Sequence, residues 1–152
     1  MPASEIFPRL WIGGIQELDE FTKFVAGRMP IVSVCVRDDG CAHPDCLQMP
    51  VIVTPTVPPE EPINASMENL EKIAGYIDKF WNQKTLMFVH CTQGVERSPL
   101  AVAYWLVTRR GFSWDAAYQM ILAKRPQAFN RSDWIPWSLR YGKPSAAYLN
   151  AV

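Results

Sequence analysis

The 152-residue chain has no long hydrophobic run. The uncharged apolar stretch Ser98 to Thr108 is too short to cross a bilayer. It has no excess of charge either, with Lys plus Arg at 15 and Asp plus Glu at 15. That balance removes the electrostatic signature of a nucleic-acid or membrane-surface binder. Met1–Leu10 lacks the basic stretch and apolar stretch of a secretory leader. The second residue is Pro rather than Gly, and the final Leu149-Asn150-Ala151-Val152 holds no Cys, so neither myristoylation nor prenylation is expected. Cysteines are few as well. Cys35, Cys41, Cys46 and Cys91 are too sparse for a disulfide framework, which predicts a reducing cytoplasmic or nuclear setting. Internal repeats and low-complexity segments are also missing, so residues 1–152 are expected to form a single domain.

What is present is enough apolar material for a core: 49% of residues are hydrophobic and 20% charged. The neutral total hides an asymmetry. Residues 1–81 hold 6 basic and 12 acidic side chains and residues 82–152 hold 9 and 3, a swing from −6 to +6. A basic C-terminal half suits an anionic ligand, although solvated surface charge gives the same pattern. Short apolar runs at Leu10–Ile12, Ile31–Val36, Val51–Val53 and Thr85–Val89 read as strands, with residues 40–50 irregular between them. Helical spacing predicts helices over Glu17–Ala26, Met67–Asn82 (capped by Asn64 or Ser66) and Pro99–Arg110, and another, capped by Ser113, that runs to about Lys124. A last helix is expected to start at Ser132 or Asp133, with Trp134, Trp137 and Tyr141 on one face. Strands alternating with helices imply an α/β fold, a central, mostly parallel sheet of about four to five strands flanked by helices.

The informative segment is His90-Cys91-Thr92-Gln93-Gly94-Val95-Glu96-Arg97-Ser98-Pro99. A buried strand delivers a Cys into a short loop with a central Gly, and the loop opens directly into a helix. Ser98 reads as the N-cap and Pro99 as the first helical residue. The free N–H groups of the loop and the positive end of the helix then converge on an anion. Arg97 adds a planar fork for two phosphate oxygens. A Cys at such a site has its thiol pKa lowered and is a nucleophile at neutral pH. The chemistry this suits is attack on phosphorus with a covalent cysteinyl-phosphate intermediate.

These residues resemble the signature of the cysteine-dependent protein tyrosine phosphatase superfamily. Ile6-Phe7-Pro8-Arg9-Leu10-Trp11-Ile12-Gly13 resembles the opening of its small, atypical dual-specificity phosphatases. Arg97-Ser98-Pro99 with Ala101–Leu106 and Gly111-Phe112-Ser113 resembles their next helix and turn, and Arg125-Pro126 and Asn130 resemble late positions. The resemblance implies a phosphatase-like fold and hydrolysis of phosphate monoesters on tyrosine, serine or threonine of a phosphorylated protein partner. No metal or organic cofactor is implied, and no stable nucleic-acid or membrane partner. Cys91 is then the nucleophile, Arg97 the phosphate clamp, and Ser98 a hydroxyl that supports the thiolate as leaving group. Thr92, Gln93, Gly94, Val95, Glu96 and Arg97 line the substrate phosphate. His90 tunes the thiol from behind, and Asn130 braces the loop.

The chain departs from the family pattern at the general acid. The family places an Asp about 30 residues before the Cys, after a strand and a Pro-x-x lead-in; here Pro58 stands at that point and no Asp occurs between Asp45 and Asp78. Glu60 and Glu61 lie 31 and 30 residues before Cys91, and Glu60 is the marginally preferred acid. Alternative readings are a phosphate-binding module with little turnover, or an RNA 5′-triphosphatase or phosphoinositide phosphatase of the same superfamily. The RNA branch shares His-Cys-Thr but continues His-Gly-x-Asn-Arg-Thr, unlike Gln93 to Ser98 here. Glu96 is expected at the pocket rim, pointing outward. Cys41, His43 and Cys46 supply only half a zinc site. Cys35 or Cys46 is a candidate partner for an oxidised Cys91.

Overall fold

A computed structural model describes residues 3–14, 16–17, 20, 31–35, 47–51, 65–91 and 94–135. The chain opens with a hairpin. β1 (Ser4–Phe7) runs antiparallel to β2 (Leu10–Gly13), and Arg9 makes the turn at a positive φ of 67°. Next come β3 (Ile31–Cys35) and the two-residue β4 (Leu47–Gln48). α1 (Met67–Asn82) precedes β5 (Leu86–His90), and then follow α2 (Arg97–Arg110), α3 (Trp114–Lys124) and a single 3₁₀ turn at Ser132–Trp134. The strand order is β1-β2-β5-β3-β4, and every pairing except the hairpin is parallel. The fold is therefore an α/β sheet with helices packed on it, as the alternation of strand and helix patterns implies.

β5 lies between β2 and β3, with Val89 beside Ile12 on one side and Val34 on the other. All five of its residues are buried, which is why Leu-Met-Phe-Val-His reads as an unbroken run rather than an alternating one. Its carboxyl end, where ligands collect in open parallel sheets, leads straight to Cys91. α2 explains its own composition. Ser98 through Leu106 are all buried, so this helix is apolar on every side. It packs against α1 and α3 as well as β5 and β2, and it ends at Gly111, left-handed at φ 77°, where Phe112 N–H returns to Leu106 O at 3.1 Å. α1 turns Leu70, Ile73, Ala74 and Ile77 to the core at helical spacing. Burying each Leu or Ile of that set contributes roughly 1.5–3 kcal/mol. Ser66 Oγ accepts the Asn69 N–H at 3.2 Å and Ser113 Oγ the Ala116 N–H at 3.1 Å, so both expected caps form.

Some expectations need correction. Leu10–Ile12 is one arm of a hairpin whose other arm, Ser4–Phe7, the poor alternation of the segment concealed. The strand beyond β3 is Leu47–Gln48, inside the stretch expected to be irregular; Val51 sits in a bend, and its carbonyl oxygen accepts the Ser66 N–H at 2.6 Å. Ile52 and Val53 lie outside the described residues. The segment from Ser132 makes one 3₁₀ turn and then Ile135 is extended, and the residues after it are outside the description. Gln16, Glu17 and Glu20 are helical, and the rest of the Glu17–Ala26 helix also falls outside it.

Candidate functional site

Cys91 follows β5 directly and is 2% exposed. Its Sγ receives the Gly94 N–H at 3.2 Å and lies 3.4 Å from Ser98 Oγ. Burial alone would push the thiol pKa up, because a thiolate is poorly solvated there. The Ser98 hydroxyl and N–H, the Gly94 N–H and the Arg97 charge outweigh that cost, and the thiol pKa falls below its ordinary value. These hydrogen bonds and the nearby charge favour the thiolate form relative to an ordinary buried thiol. Gly94 is required for this arrangement. It sits at φ 71°, and a Cβ there would meet the Gly13 backbone at 2.4–2.7 Å. The loop is thus wedged against the end of β2, which aims its amide at the sulfur.

α2 starts at Arg97 with Glu96 in the cap position, and Glu96 makes no capping hydrogen bond. Ser98 is therefore not the N-cap: it is the second helical residue, and its hydroxyl faces Cys91 instead of the helix end. Pro99 is the third residue rather than the first, still within the turn whose N–H groups have no intrahelical partner. The first turn holds no acidic side chain, so nothing on the helix cancels its positive end. The Glu96 carboxylate turns away to Arg131, Oε1 to Nη2 at 3.5 Å, in accord with its expected place at the rim. His90 is 1% exposed and stands beside Cys35 in the β3–β5 ladder.

A buried thiol with a lowered pKa, a helix N-terminus and an adjacent Arg are the groups that attack on a bound oxyanion requires. The sequence agrees: residues 44–142 match the family model described as dual specificity phosphatase, catalytic domain. The chain belongs to the dual specificity phosphatase family.

No curated protein matches the chain by sequence. Solved structures do match in fold. A mouse protein described as a dual specificity phosphatase, solved with zinc tungstate, is 23% identical with a TM-score of 0.73, covering 97% of this chain and 91% of its own. A variant of human DUSP28 is 24% identical with a TM-score of 0.68, covering 100% and 99%. DUSP15 is 18% identical with a TM-score of 0.69, covering 99% and 96%.

In this family member the loop is braced from outside, by residues whose role the sequence reading did not assign. Arg125, 1% exposed, donates Nε to Gly94 O at 2.7 Å, Nη1 to Ser4 Oγ at 3.0 Å and Nη2 to Glu17 Oε1 at 2.9 Å. Phe129 N–H donates to Val95 O at 2.7 Å. Asn130, expected to brace the loop, accepts the Ser132 N–H on Oδ1 at 2.9 Å at the start of the 3₁₀ turn. The signal was available, since Arg125 sits in the Arg-Pro pair that resembles the family. Trp134 is buried in the core. Thr92, Gln93, Glu60, Glu61, Cys41, His43, Cys46 and Trp137 lie outside the described residues. Among the described residues no group of three or more His, Cys, Asp or Glu could hold a metal ion, and no helix is long and apolar enough to cross a membrane.

Proposed function

We propose that the protein removes phosphate from tyrosine, serine or threonine of a phosphorylated protein through a cysteinyl-phosphate intermediate. The observation that carries this reading is the Cys91 thiol, lowered in pKa despite burial and held between Ser98 and the Gly94 amide. The thiolate attacks phosphorus, forming an S–P bond as the P–O bond to the leaving group breaks. Arg97 and the loop N–H groups hold the three equatorial oxygens while negative charge builds on them. The departing oxygen takes a proton, which we assign to Glu60. Water then attacks phosphorus, giving a proton back to the Glu60 carboxylate, the S–P bond breaks, and inorganic phosphate and the thiolate are released. Ser98, beside the sulfur, makes the thiolate a better leaving group in that second step. No cofactor enters either step. A phosphoprotein in the cytoplasm or nucleus is the partner we infer.

Cys91→Ser tests the reading. A serine hydroxyl stays protonated at neutral pH, so nitrophenyl phosphate hydrolysis should fall to a trace. Oxyanion binding, measured by calorimetry with tungstate, should persist because the amide cradle and Arg97 remain. A serine variant that turns over substrate at a substantial fraction of the wild-type rate would refute the covalent route. A wild-type protein that binds tungstate but never turns over would favour a binding module.

A further inference from the structure

The buried Arg125 brace has no part in the steps above, yet it consumes a fully desolvated guanidinium. A planar trans peptide points its C=O and its N–H in opposite directions. Arg125 Nε holds the Gly94 carbonyl, which belongs to the Gly94–Val95 peptide. Phe129 N–H holds the Val95 carbonyl, which belongs to the Val95–Glu96 peptide. Two successive loop peptides therefore have their oxygens drawn outward. The Val95 and Glu96 N–H groups on those same peptides must face the other way, into the loop. The guanidinium charge on the first carbonyl also polarises that peptide and makes its N–H a stronger donor.

We propose that Arg125 is a positioning residue for the anion cradle: with Phe129 it turns the Val95 and Glu96 amides toward the bound phosphoryl group. The inference rests on the reading of this loop as a phosphate site. Three anchors fix the guanidinium itself. Ser4 lies in β1, Glu17 follows β2, and the Glu17 oxygen that meets Arg125 also accepts the Gly14 N–H at 3.3 Å. The N-terminal hairpin thus sets the direction of amides more than 75 residues away in sequence. The thiol is held separately. The Gly94 N–H that reaches Cys91 is on the preceding peptide, and Gly94 itself is wedged against Gly13. Loss of the brace should therefore weaken the cradle without undoing thiol activation.

The experiment uses the full chain, reduced and ¹⁵N-labelled, with inorganic phosphate as probe. In the wild type, phosphate should move the Val95 and Glu96 amide signals together with the Arg97 Nε signal. An Arg125→Lys variant keeps the charge but cannot direct three donors at three acceptors. It should bind phosphate about 10-fold or more weakly, the scale of one charge-assisted hydrogen bond. Its pH midpoint for Cys91 alkylation should stay that of the wild type. A folded variant that binds phosphate normally would overturn the proposal, and so would one that loses phosphate binding and thiol activation together. If the variant does not fold, the wild-type titration decides. Phosphate moving Arg97 but neither amide defeats the brace alone, whereas phosphate moving none of the three defeats the proposed function itself.

Discussion

Ser98→Ala is the substitution that separates an activated thiol from a merely buried one. Ser98 is fully buried and its Oγ lies 3.4 Å from the Cys91 sulfur. Removing the hydroxyl leaves almost no cavity, and it leaves the Gly94 N–H and the Arg97 charge in place. A hydrogen bond to a charged group contributes roughly 1.5–3 kcal/mol. The contact here is a long one to sulfur, so the lower end applies, and about 1.4 kcal/mol corresponds to about one pKa unit. The thiol pKa should therefore rise, and the thiolate fraction below that pKa should fall about tenfold. The assay is the rate of iodoacetamide alkylation against pH, with the modified Cys91 peptide quantified by mass spectrometry to set aside the other three cysteines. The whole curve should move to higher pH. Hydrolysis of the cysteinyl phosphate should slow as well, because a more basic sulfur leaves less readily, and the intermediate should accumulate as a burst with nitrophenyl phosphate. Superimposable alkylation curves would show that Ser98 does not stabilise the anion, and the account of the site would fail at its centre.

Gly94→Ala should destabilise the fold by about 2–4 kcal/mol in a urea titration, from left-handed strain plus a Cβ forced onto the Gly13 backbone. Gly75→Ala, on a helix face with nothing within 4 Å of the new Cβ, should instead stabilise by about 0.5–1 kcal/mol, and equal effects at the two sites would contradict the wedge. Glu60→Gln should slow phosphoserine cleavage by about 10²–10⁴-fold while sparing aryl phosphates, whose leaving group departs without a proton. Unchanged rates on both substrates would remove Glu60 as the acid. The Arg109 guanidinium, aided by the Tyr104 hydroxyl, holds the Glu71 carboxyl below its usual pKa despite partial desolvation. A depressed carboxyl stabilises the fold above its unfolded pKa and loses that contribution as pH falls through the folded value, so Glu71→Gln should flatten the acid limb of Tm against pH.

How far the sequence could be read depended on how far apart the cooperating residues lie. The thiol, the loop glycine, the Arg and the serine fall between positions 91 and 98, so one strand–loop–helix passage displays them together. The caps at Ser66 and Ser113 were equally legible, because a capping bond spans three residues. The same local rule misassigned Ser98. Its preference for a helix end is real, but the buried sulfur beside it is a stronger claimant for a hydroxyl than solvated helix amides are. β4 was missed for a related reason: two residues paired to β3 leave no pattern, while the apolar Val51–Val53 run nearby imitates one.

The brace is a contact between distant parts. Arg125 reaches 31 residues back to Gly94, 108 to Glu17 and 121 to Ser4. No spacing within the chain announces such a set; only the sheet order, which lays the hairpin beside β5, brings it together. This division has a mechanical meaning. The reactive groups sit on one contiguous segment that could be written into many folds, whereas the direction in which its amides point is imposed by the fold as a whole. Substitutions in the contiguous segment should then act on the chemical steps. Substitutions at Ser4, Glu17 or Arg125 should act on oxyanion affinity, with the thiol still activated.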